Sequence, residues 1–201
     1  MNRLDIINAL IRAVNAAAYL EIGVADGWTF SQVQCEHKVG VDINPGSLVA
    51  THHQSSDDFF LENTSKFDVV FIDGLHQCDQ VQRDIINSLA VLHEDGCIVC
   101  HDMNPLTEQM QVVPMITPEW TGDCWKAWVE LRSTRFDLDM YVIDTDYGCG
   151  IIQKGTQSRI QLDTEELAWD RFCRNRKDWL NLIPPESFAK RLNAISVTKR
   201  K

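Results

Sequence analysis

Two neighbouring apolar stretches of the chain are each followed by residues that can do acid–base or metal chemistry. Asp73 and His76 follow one stretch, and His101 and Asp102 follow the next. An imidazole exchanges a proton near neutral pH because its ordinary pKa is about 6.5, and a nearby carboxylate can orient it and stabilise its charged form. We predict a catalytic site at these positions.

A glycine-containing turn follows the first apolar stretch, with the pattern Glu21-x-Gly23-x-Ala25-x-Gly27. Small residues let the backbone turn tightly and approach a ligand, and a helix that starts at such a turn directs its N–H groups towards that ligand. Asp42 follows the second apolar stretch, where a carboxylate can accept both ribose hydroxyls of an adenosine group. The alternative is that Asp42 is a solvated acid that caps the next segment.

The elements that must position these residues alternate between strands and helices. Apolar runs predict strands at 19–24, 38–42, 67–72, 97–100, 138–144 and 148–154 and a weak one at 51–54, and helical spacing predicts helices at 4–14, 28–35, 79–93 and 123–132, with two more after residue 163 that are broken at Pro184-Pro185. This alternation indicates an α/β, doubly wound seven-stranded sheet, mostly parallel with an antiparallel edge hairpin and helices on both faces. Ligands bind such sheets beyond the carboxyl ends of the strands.

The order of these motifs resembles the class I S-adenosylmethionine-dependent methyltransferases, specifically the small-molecule group related to the catechol O-methyltransferases. The resemblance rests on the glycine turn, on the run 67–76 and on His101-Asp102, and it covers about residues 18–155. It implies a Rossmann-like sheet and transfer of a methyl group to a small molecule, first of all to oxygen, with nitrogen left open. We expect one domain over 1–201, made of an N-terminal helix (1–18), a cofactor-binding core (19–155) and a helical extension (156–201).

The resemblance also assigns the contacts of the cofactor, S-adenosylmethionine. The residues expected around it are Glu21, Gly23, Ala25, Gly27, Asp42, Ile43, Ser56, Asp57 and Asp73. Ser56 and Asp57 take the adenine positions of this group, although the same stretch could instead cap the helix that follows.

Two ways of activating the acceptor stay open. In the catechol-type enzymes, acids at the positions of Asp73 and Asp102 hold magnesium together with a neighbouring Asn or Asp. The next position here is Met103, a poor ligand for a hard cation, so His76, His101 or Asn104 would have to replace it. His76 completes the candidate set with Asp73 and Asp102, and a histidine-containing site would favour a softer metal than magnesium. Without a metal, His76 is the expected general base, unless it only caps a helix. Lys126 is expected near the charge that develops during the reaction.

The stretch 103–122 carries three prolines and predicts a loop that shapes the acceptor pocket. Trp120 and Trp125 flank its end and could form a pocket wall, whereas helical spacing would place Trp125 and Trp128 in a buried stripe. Tyr147, in the predicted hairpin turn, could also line the site.

Composition restricts the partners. The formal charge of −10 disfavours nucleic acid, and no apolar run reaches the length of a membrane span. No secretion signal is visible, so we expect a cytoplasmic protein whose seven cysteines are free thiols, with Cys97 and Cys100 on opposite faces of a strand. The basic residues 199–201 read as a solvated tail. The last helices could support a homodimer.

Two rival functions keep the same fold. One is another enzyme that uses a nucleotide cofactor, such as a nucleotide-sugar enzyme, or a hydrolase, although the Gly-x-Ser-x-Gly elbow of the common hydrolases is absent from the sequence. The other is a protein that binds S-adenosylmethionine without transferring its methyl group.

Overall fold

The computed structural model describes residues 1–162 and 167–198, which form one sheet with helices on both faces. The strands are β1 (Ala18–Ile22), β2 (His37–Asp42), β3 (His52–His53), β4 (Phe67–Ile72), β5 (Leu92–Cys100), β6 (Leu138–Ile143), β7 (Cys149–Lys154) and β8 (Leu182–Ile183). The helices are α1 (Arg3–Val14), α2 (Trp28–Gln32), α3 (Ser56–Glu62), α4 (Cys78–Val91), α5 (Cys124–Thr134), α6 (Trp169–Leu180) and α7 (Pro185–Thr198), with a 3-10 turn at Gln109–Gln111.

The strand order is β3-β2-β1-β4-β5-β7-β6-β8. Strand β7 runs antiparallel to β5 and β6, and the other paired strands are parallel. The chain leaves β1 in one direction for β2 and returns on its other side as β4, so the order reverses between β1 and β4. This reversal confirms the predicted doubly wound, mostly parallel sheet and marks where a ligand is expected to bind.

The sheet has eight strands where the sequence predicted seven. The additional strand, β8, pairs with β6 through Leu182 and Ile183 and forms the edge of the sheet, so the β6–β7 hairpin lies one strand further in. Two residues are too few for the alternation of apolar and polar residues that identifies a strand.

Helix α1 begins with a reciprocal cap. The Asn2 side chain accepts a hydrogen bond from the Asp5 backbone N–H, and the Asp5 carboxylate accepts one from the Asn2 N–H. This arrangement satisfies two donors that a helix start otherwise leaves free. The apolar stripe of α1 then packs on the sheet, which fixes the direction in which the chain enters the molecule.

Each face of the sheet has its own core. Helices α1, α2 and α7 cover one face, and α3, α4, α5 and α6 cover the other. Cys97 belongs to the first core and Cys100 to the second, as the alternation of a strand predicts, and neither forms a disulfide. Trp125 and Trp128 are fully buried under α6, so the buried-stripe interpretation holds for α5.

Several element boundaries differ from the predictions. Strand β5 already begins at Leu92, so the predicted turn at 94–96 lies within it, and its pairing with β4 shifts register between Phe67 and Val69. The break at Pro184-Pro185 separates α6 and β8 from α7 as expected. The basic residues 199–201 lie outside the described residues. None of the described helices is long and apolar enough to span a membrane.

Candidate active site

The carboxyl ends of β1, β4 and β5 form the floor of a cavity of about 730 Å³. A second cavity of about 390 Å³ adjoins it on the side of β2. The two cavities share Gly23, Ala25, Asp73 and Gly74 in their walls, so they form one groove across the point where the strand order reverses. The floor is therefore built by the residues that the sequence placed directly after the strands.

The glycine turn brings β1 close to the end of β4. Gly23 has φ +85°, and a Cβ atom there would lie 2.2 Å from the carbonyl oxygen of Asp73. Ala25 and Gly27 also have positive φ values, 49° and 82°. An alanine in this conformation costs about 1 kcal/mol relative to glycine. Asp42 holds the turn, because its carboxylate accepts hydrogen bonds from the N–H groups of Ala25 (2.6 Å) and Asn44 (2.7 Å).

The second cavity gathers most of the residues predicted on the adenosine side. Asp42, Ile43 and Ser56 line it, together with Gln80, which the sequence analysis did not single out. Gln80 donates a hydrogen bond to the Ser56 hydroxyl (3.1 Å). Asp57 does not line this cavity and pairs instead with Arg83 of α4.

The helix cap that was the alternative for Ser56 and Asp57 is formed by Ser55, one residue earlier in the chain. The Ser55 hydroxyl accepts a hydrogen bond from the Asp58 N–H at the start of α3. Capping by Ser55 leaves Ser56 on the cavity wall, so the cap is compatible with the predicted adenine position of Ser56.

Asp73, His76 and Asp102 come together as predicted. His76 Nε2 lies 3.3 Å from Asp73 Oδ1, and His76 Nδ1 lies 3.3 Å from Asp102 Oδ2 and 3.2 Å from the carbonyl oxygen of Trp120. A carbonyl oxygen only accepts, so this contact places a proton on Nδ1 and leaves Nε2 as the nitrogen that can take up another. His76 does not cap α4, because the helix begins at Cys78 after Gln77.

Strand β5 ends in a sharp turn that directs two successive side chains into the site. Asp102 has φ 63°, a left-handed conformation that is rare for a residue with a Cβ atom. The turn buries both His101 and Asp102. His101 Nδ1 lies 3.1 Å from Asp102 Oδ1 and 3.3 Å from Asp73 Oδ1, but neither ring nitrogen makes a well-aligned hydrogen bond. The attraction between His101 and these acids is therefore that of charges rather than of directed hydrogen bonds.

Arg3 and Asp146 complete the cluster, and the sequence analysis missed both. Arg3 Nη1 donates to Asp73 Oδ2 (2.9 Å), while its Nε and Nη2 donate to the two carboxylate oxygens of Asp146 (2.9 and 3.0 Å). Asp146 also faces His101 Nε2 at 3.5 Å. We refer to the six residues Arg3, Asp73, His76, His101, Asp102 and Asp146 as the acid–histidine cluster. No short-range pattern connects Arg3 with acids 70 and 143 positions away.

The cluster shifts the pKa values of its members. Burial would raise the pKa of Asp73, but the charge of His101 and the close contacts of His101 and His76 hold it far below its usual range. Burial would lower the pKa of His76, but its hydrogen bond to Asp73 and the charges of Asp102 and Asp73 raise it above 6.5. Burial would also lower the pKa of His101, but the negative charge of Asp73 raises it, and the net result is a pKa well above 6.5.

Glu21 is buried at the edge of the larger cavity. Its carboxylate accepts a hydrogen bond from the hydroxyl of Tyr19, which is itself fully buried. Burial raises the pKa of Glu21 to about 8, and the Tyr19 hydrogen bond only partly opposes this effect. In the cavity without ligand, Glu21 is therefore largely protonated at neutral pH.

The loop 103–122 closes over His76. The Trp120 ring stacks on the His76 imidazole, with ring centres 5.2 Å apart. Gly122 packs so closely that a Cβ atom would lie 1.8 Å from the His76 carbonyl oxygen, and its φ of +58° suits glycine. Trp120 and Tyr147 line the cavity as the sequence suggested, and the half-exposed Trp28 lies with them.

Lys126 and Met103 stand apart from the cavity. Lys126 Nζ lies 3.3 Å from Asp123 Oδ2 on α5, and Lys126 does not line the cavity, so the structure does not bring it to the predicted position. Met103, directly after Asp102, is buried in the core beside α5.

Comparison with known proteins agrees with this geometry. Residues 20–103 match a family described as a methyltransferase domain. No curated protein matches the chain at a significant level.

Several solved structures share the fold. The O-methyltransferase TomG from Streptomyces achromogenes, involved in tomaymycin synthesis and solved with S-adenosylmethionine, is 15% identical over 76% of this chain and 79% of its own, with a TM-score of 0.59. A putative caffeoyl-CoA O-methyltransferase from Staphylococcus aureus is 18% identical over 76% and 82%, with a TM-score of 0.55. An O-methyltransferase from Bacillus cereus, solved with S-adenosylhomocysteine, is 12% identical over 75% and 79%, with a TM-score of 0.54.

The strand order, the glycine turn and the shared fold define a class I methyltransferase architecture. Within it, residues 20–103 are those of a methyltransferase domain. The match over residues 20–103 and the shared fold agree with the methyltransferase family predicted from the sequence.

Proposed function

We propose that this protein transfers the methyl group of S-adenosylmethionine to a hydroxyl oxygen of an uncharged small molecule. The observation that carries the proposal is the position of His76. His76 lines the larger cavity beside the glycine turn, with its Nε2 3.3 Å from Asp73 Oδ1 and its Nδ1 held by the Trp120 carbonyl and Asp102. A base that faces the acceptor side of a methyltransferase groove suits a hydroxyl, which must lose its proton during transfer.

The groove has the features that the cofactor requires. The smaller cavity presents the Asp42 carboxylate and the Ser56 hydroxyl, which suit a ribose and an adenine. The backbone of the glycine turn separates it from the larger cavity, where Glu21 offers an acid to a positively charged group. When bound, S-adenosylmethionine supplies a methyl group on a positively charged sulfur, which becomes a neutral thioether when the methyl group leaves.

His76 accepts the proton of the acceptor hydroxyl at Nε2. The oxygen then forms its bond to the methyl carbon as the bond between that carbon and sulfur breaks, and the proton stays on the imidazole until solvent removes it. The charges of the acid–histidine cluster favour this step. Its three carboxylates face the cations Arg3 and His101, so one negative charge stays uncompensated until His76 becomes an imidazolium.

The walls of the larger cavity favour an uncharged acceptor. Its cationic side chains are Arg3 and His101, and each faces at least one carboxylate of the cluster. Glu21, Asp26 and Glu119 add acidic groups, so a phosphate or carboxylate on the acceptor would find no free cation among the described lining residues. Trp28, Trp120 and Tyr147 offer ring faces for apolar or ring-shaped acceptors.

The test of cofactor binding is calorimetric titration of the purified protein with S-adenosylmethionine and, separately, with NAD. We expect saturable binding of S-adenosylmethionine alone. Asp42→Ala should weaken it roughly 10- to 100-fold, because hydrogen bonds to a charged group contribute about 1.5–3 kcal/mol. Asp95→Ala is the control, since Asp95 is exposed and lines neither part of the groove. Failure to bind S-adenosylmethionine would contradict the proposal and favour the rival cofactor enzyme.

The transfer itself is tested by screening hydroxylated acceptors for formation of S-adenosylhomocysteine. Binding of the cofactor without turnover on any acceptor would favour the rival in which the protein only binds it. The cytoplasmic location, the single domain, the homodimer and the exclusion of nucleic acid stay predictions from the sequence.

A further inference from the structure

The resemblance to catechol-type enzymes implies a divalent cation between Asp73 and Asp102. Ligand atoms of Asp73, His76 and Asp102 lie within 4.8 Å of one another, which is the size of a cation site. Whether Mg²⁺ fits this site depends on what each ligand atom already contacts.

All four carboxylate oxygens of Asp73 and Asp102 have nitrogen partners. Arg3 Nη1 donates to Asp73 Oδ2 at 2.9 Å. The other three oxygens lie 3.1 to 3.3 Å from imidazole nitrogens of His76 and His101. Mg²⁺ requires oxygen ligands in a near-octahedral arrangement, and the third ligand position holds the thioether of Met103, which points into the core. This donor set does not fit a hard dication.

Arg3 is held in place by more than its contact with Asp73. Its backbone N–H donates to Asp146 Oδ2 (2.8 Å), and its Nε and Nη2 bind the two oxygens of the same carboxylate. The position of Arg3 at the start of α1 is fixed in turn by the Asn2–Asp5 cap and by the buried stripe of that helix. A guanidinium stays charged at every pH relevant to proteins and matches a carboxylate with two parallel hydrogen bonds.

We infer that Arg3 replaces the divalent cation of the catechol-type site and that this enzyme works without a metal. Arg3 is a positioning residue: it holds Asp73, and Asp73 holds His76 at the cavity floor. The inference rests on the proposed function only for its catalytic consequence, because the binding of metal can be measured without an acceptor or cofactor.

The first experiment titrates the protein with MgCl₂ and MnCl₂ by calorimetry and follows the thermal midpoint with each salt and with EDTA. We expect no saturable heat and no change of midpoint for the wild type. Arg3→Met frees an Asp73 oxygen and removes the guanidinium from Asp146, although the backbone N–H of residue 3 still donates to Asp146 Oδ2, so Mn²⁺ should now bind and raise the midpoint by about 2 °C or more. Arg12→Met, an exposed arginine of the same helix, should behave as the wild type.

Saturable binding of Mg²⁺ or Mn²⁺ to the wild type that Asp102→Asn abolishes would overturn the inference. An Arg3→Met protein with the wild-type midpoint and no affinity for Mn²⁺ would also overturn it. If Arg3→Met does not fold, Arg3→Lys keeps the charge, and the wild-type titration alone still decides.

The second experiment measures turnover with an acceptor found in the screen. We expect Arg3→Ala to lower kcat at least tenfold while the KM for S-adenosylmethionine changes less than threefold, and millimolar methylguanidinium should restore part of kcat. Loss of cofactor affinity without loss of kcat, or absence of rescue in a folded Arg3→Ala protein, would contradict a positioning role. A protein that binds no S-adenosylmethionine at all would refute the proposed function and leave the metal titration valid.

Discussion

The two halves of the groove are built in different ways. The cofactor side comes from short, continuous segments: the glycine turn, the end of β2 and the start of α3. The acceptor side is assembled from α1, the loop 103–122 and the β6–β7 turn, which lie far apart in the chain and meet only in the folded protein. The cofactor side is specified by local backbone conformation, and the acceptor side by ion pairs between residues that are far apart in the chain.

The largest expected effect concerns the acceptor side. His76→Gln removes the proposed base, and kcat should fall roughly 10²- to 10⁴-fold, the usual contribution of a positioned base. The affinity for S-adenosylmethionine should stay within about threefold, because His76 lies outside the smaller cavity. His93→Gln is the matched control, an exposed histidine on β5. Equal losses of kcat and cofactor affinity would mean that the two halves do not act separately.

Gly23→Ala tests the cofactor side. The added Cβ would meet the Asp73 carbonyl oxygen at 2.2 Å in a backbone conformation that alanine rarely adopts. The free energy of unfolding should drop by about 2–4 kcal/mol, and binding of S-adenosylmethionine should become undetectable by calorimetry. The control is Gly46→Ala, where a Cβ would lie 3.2 Å from the Asn44 side chain. A Gly23→Ala protein with wild-type affinity would show that the close approach of β1 and β4 is not needed for binding.

Glu21 is a buried carboxyl group in the wall of the larger cavity. Its pKa is raised by burial from 4.5 to about 8 in the folded protein, so the folded state holds its proton more tightly than the unfolded chain. The resulting stability is fully present below pH 4.5 and is lost as pH rises through about 8. Glu21→Gln should therefore lose less unfolding free energy than the wild type as pH rises between these values. Denaturant titrations at pH 5, 6.5 and 8 would test this, and parallel curves for the two proteins would contradict it.

The smallest expected effect is a shift in a pH profile. His76 must be neutral to accept a proton, and its pKa is raised, so kcat should fall on the acid side with a midpoint above pH 6.5. Asp102→Asn removes one of the charges that raise this pKa, and the midpoint should move to lower pH. Asp123→Asn, which changes a carboxylate outside the cluster, should leave the midpoint unchanged. An unshifted midpoint in Asp102→Asn would assign the acid limb to another group.

On the cofactor side, the sequence predicted the glycine turn and several residues that line the smaller cavity, because these features leave a local mark. Gly23 and Gly27 are visible as glycines where the backbone needs positive φ, and Asp42 is visible because it ends a strand. Ala25 takes the same conformation without being glycine, so its type alone does not reveal it. The Asp57 side chain pairs with Arg83 on α4 and does not line the cavity. This orientation depends on packing between helices rather than on any local sequence pattern.

The acceptor half was predicted only where its residues follow strands. Asp73, His76 and Asp102 do so, and they meet. Arg3 lies on a helix whose sequence predicts only an amphipathic helix packed on the sheet. Its partner Asp146 lies in a tight turn, where an acidic side chain needs no further explanation. Only the three-dimensional closure of α1 against the β6–β7 turn brings them together, and nothing in the spacing of either segment specifies the other.

The start of the chain lies at the rim of the larger cavity. The Thr145 hydroxyl donates a hydrogen bond to the Met1 carbonyl oxygen (2.7 Å), and Asn2 is part of the cavity wall. An affinity tag or fusion partner attached ahead of Met1 would therefore begin beside the entrance used by the acceptor. For assays and crystallisation, the tag belongs at the other end of the chain, and a tag at the amino end should be cleaved before any acceptor is judged inactive.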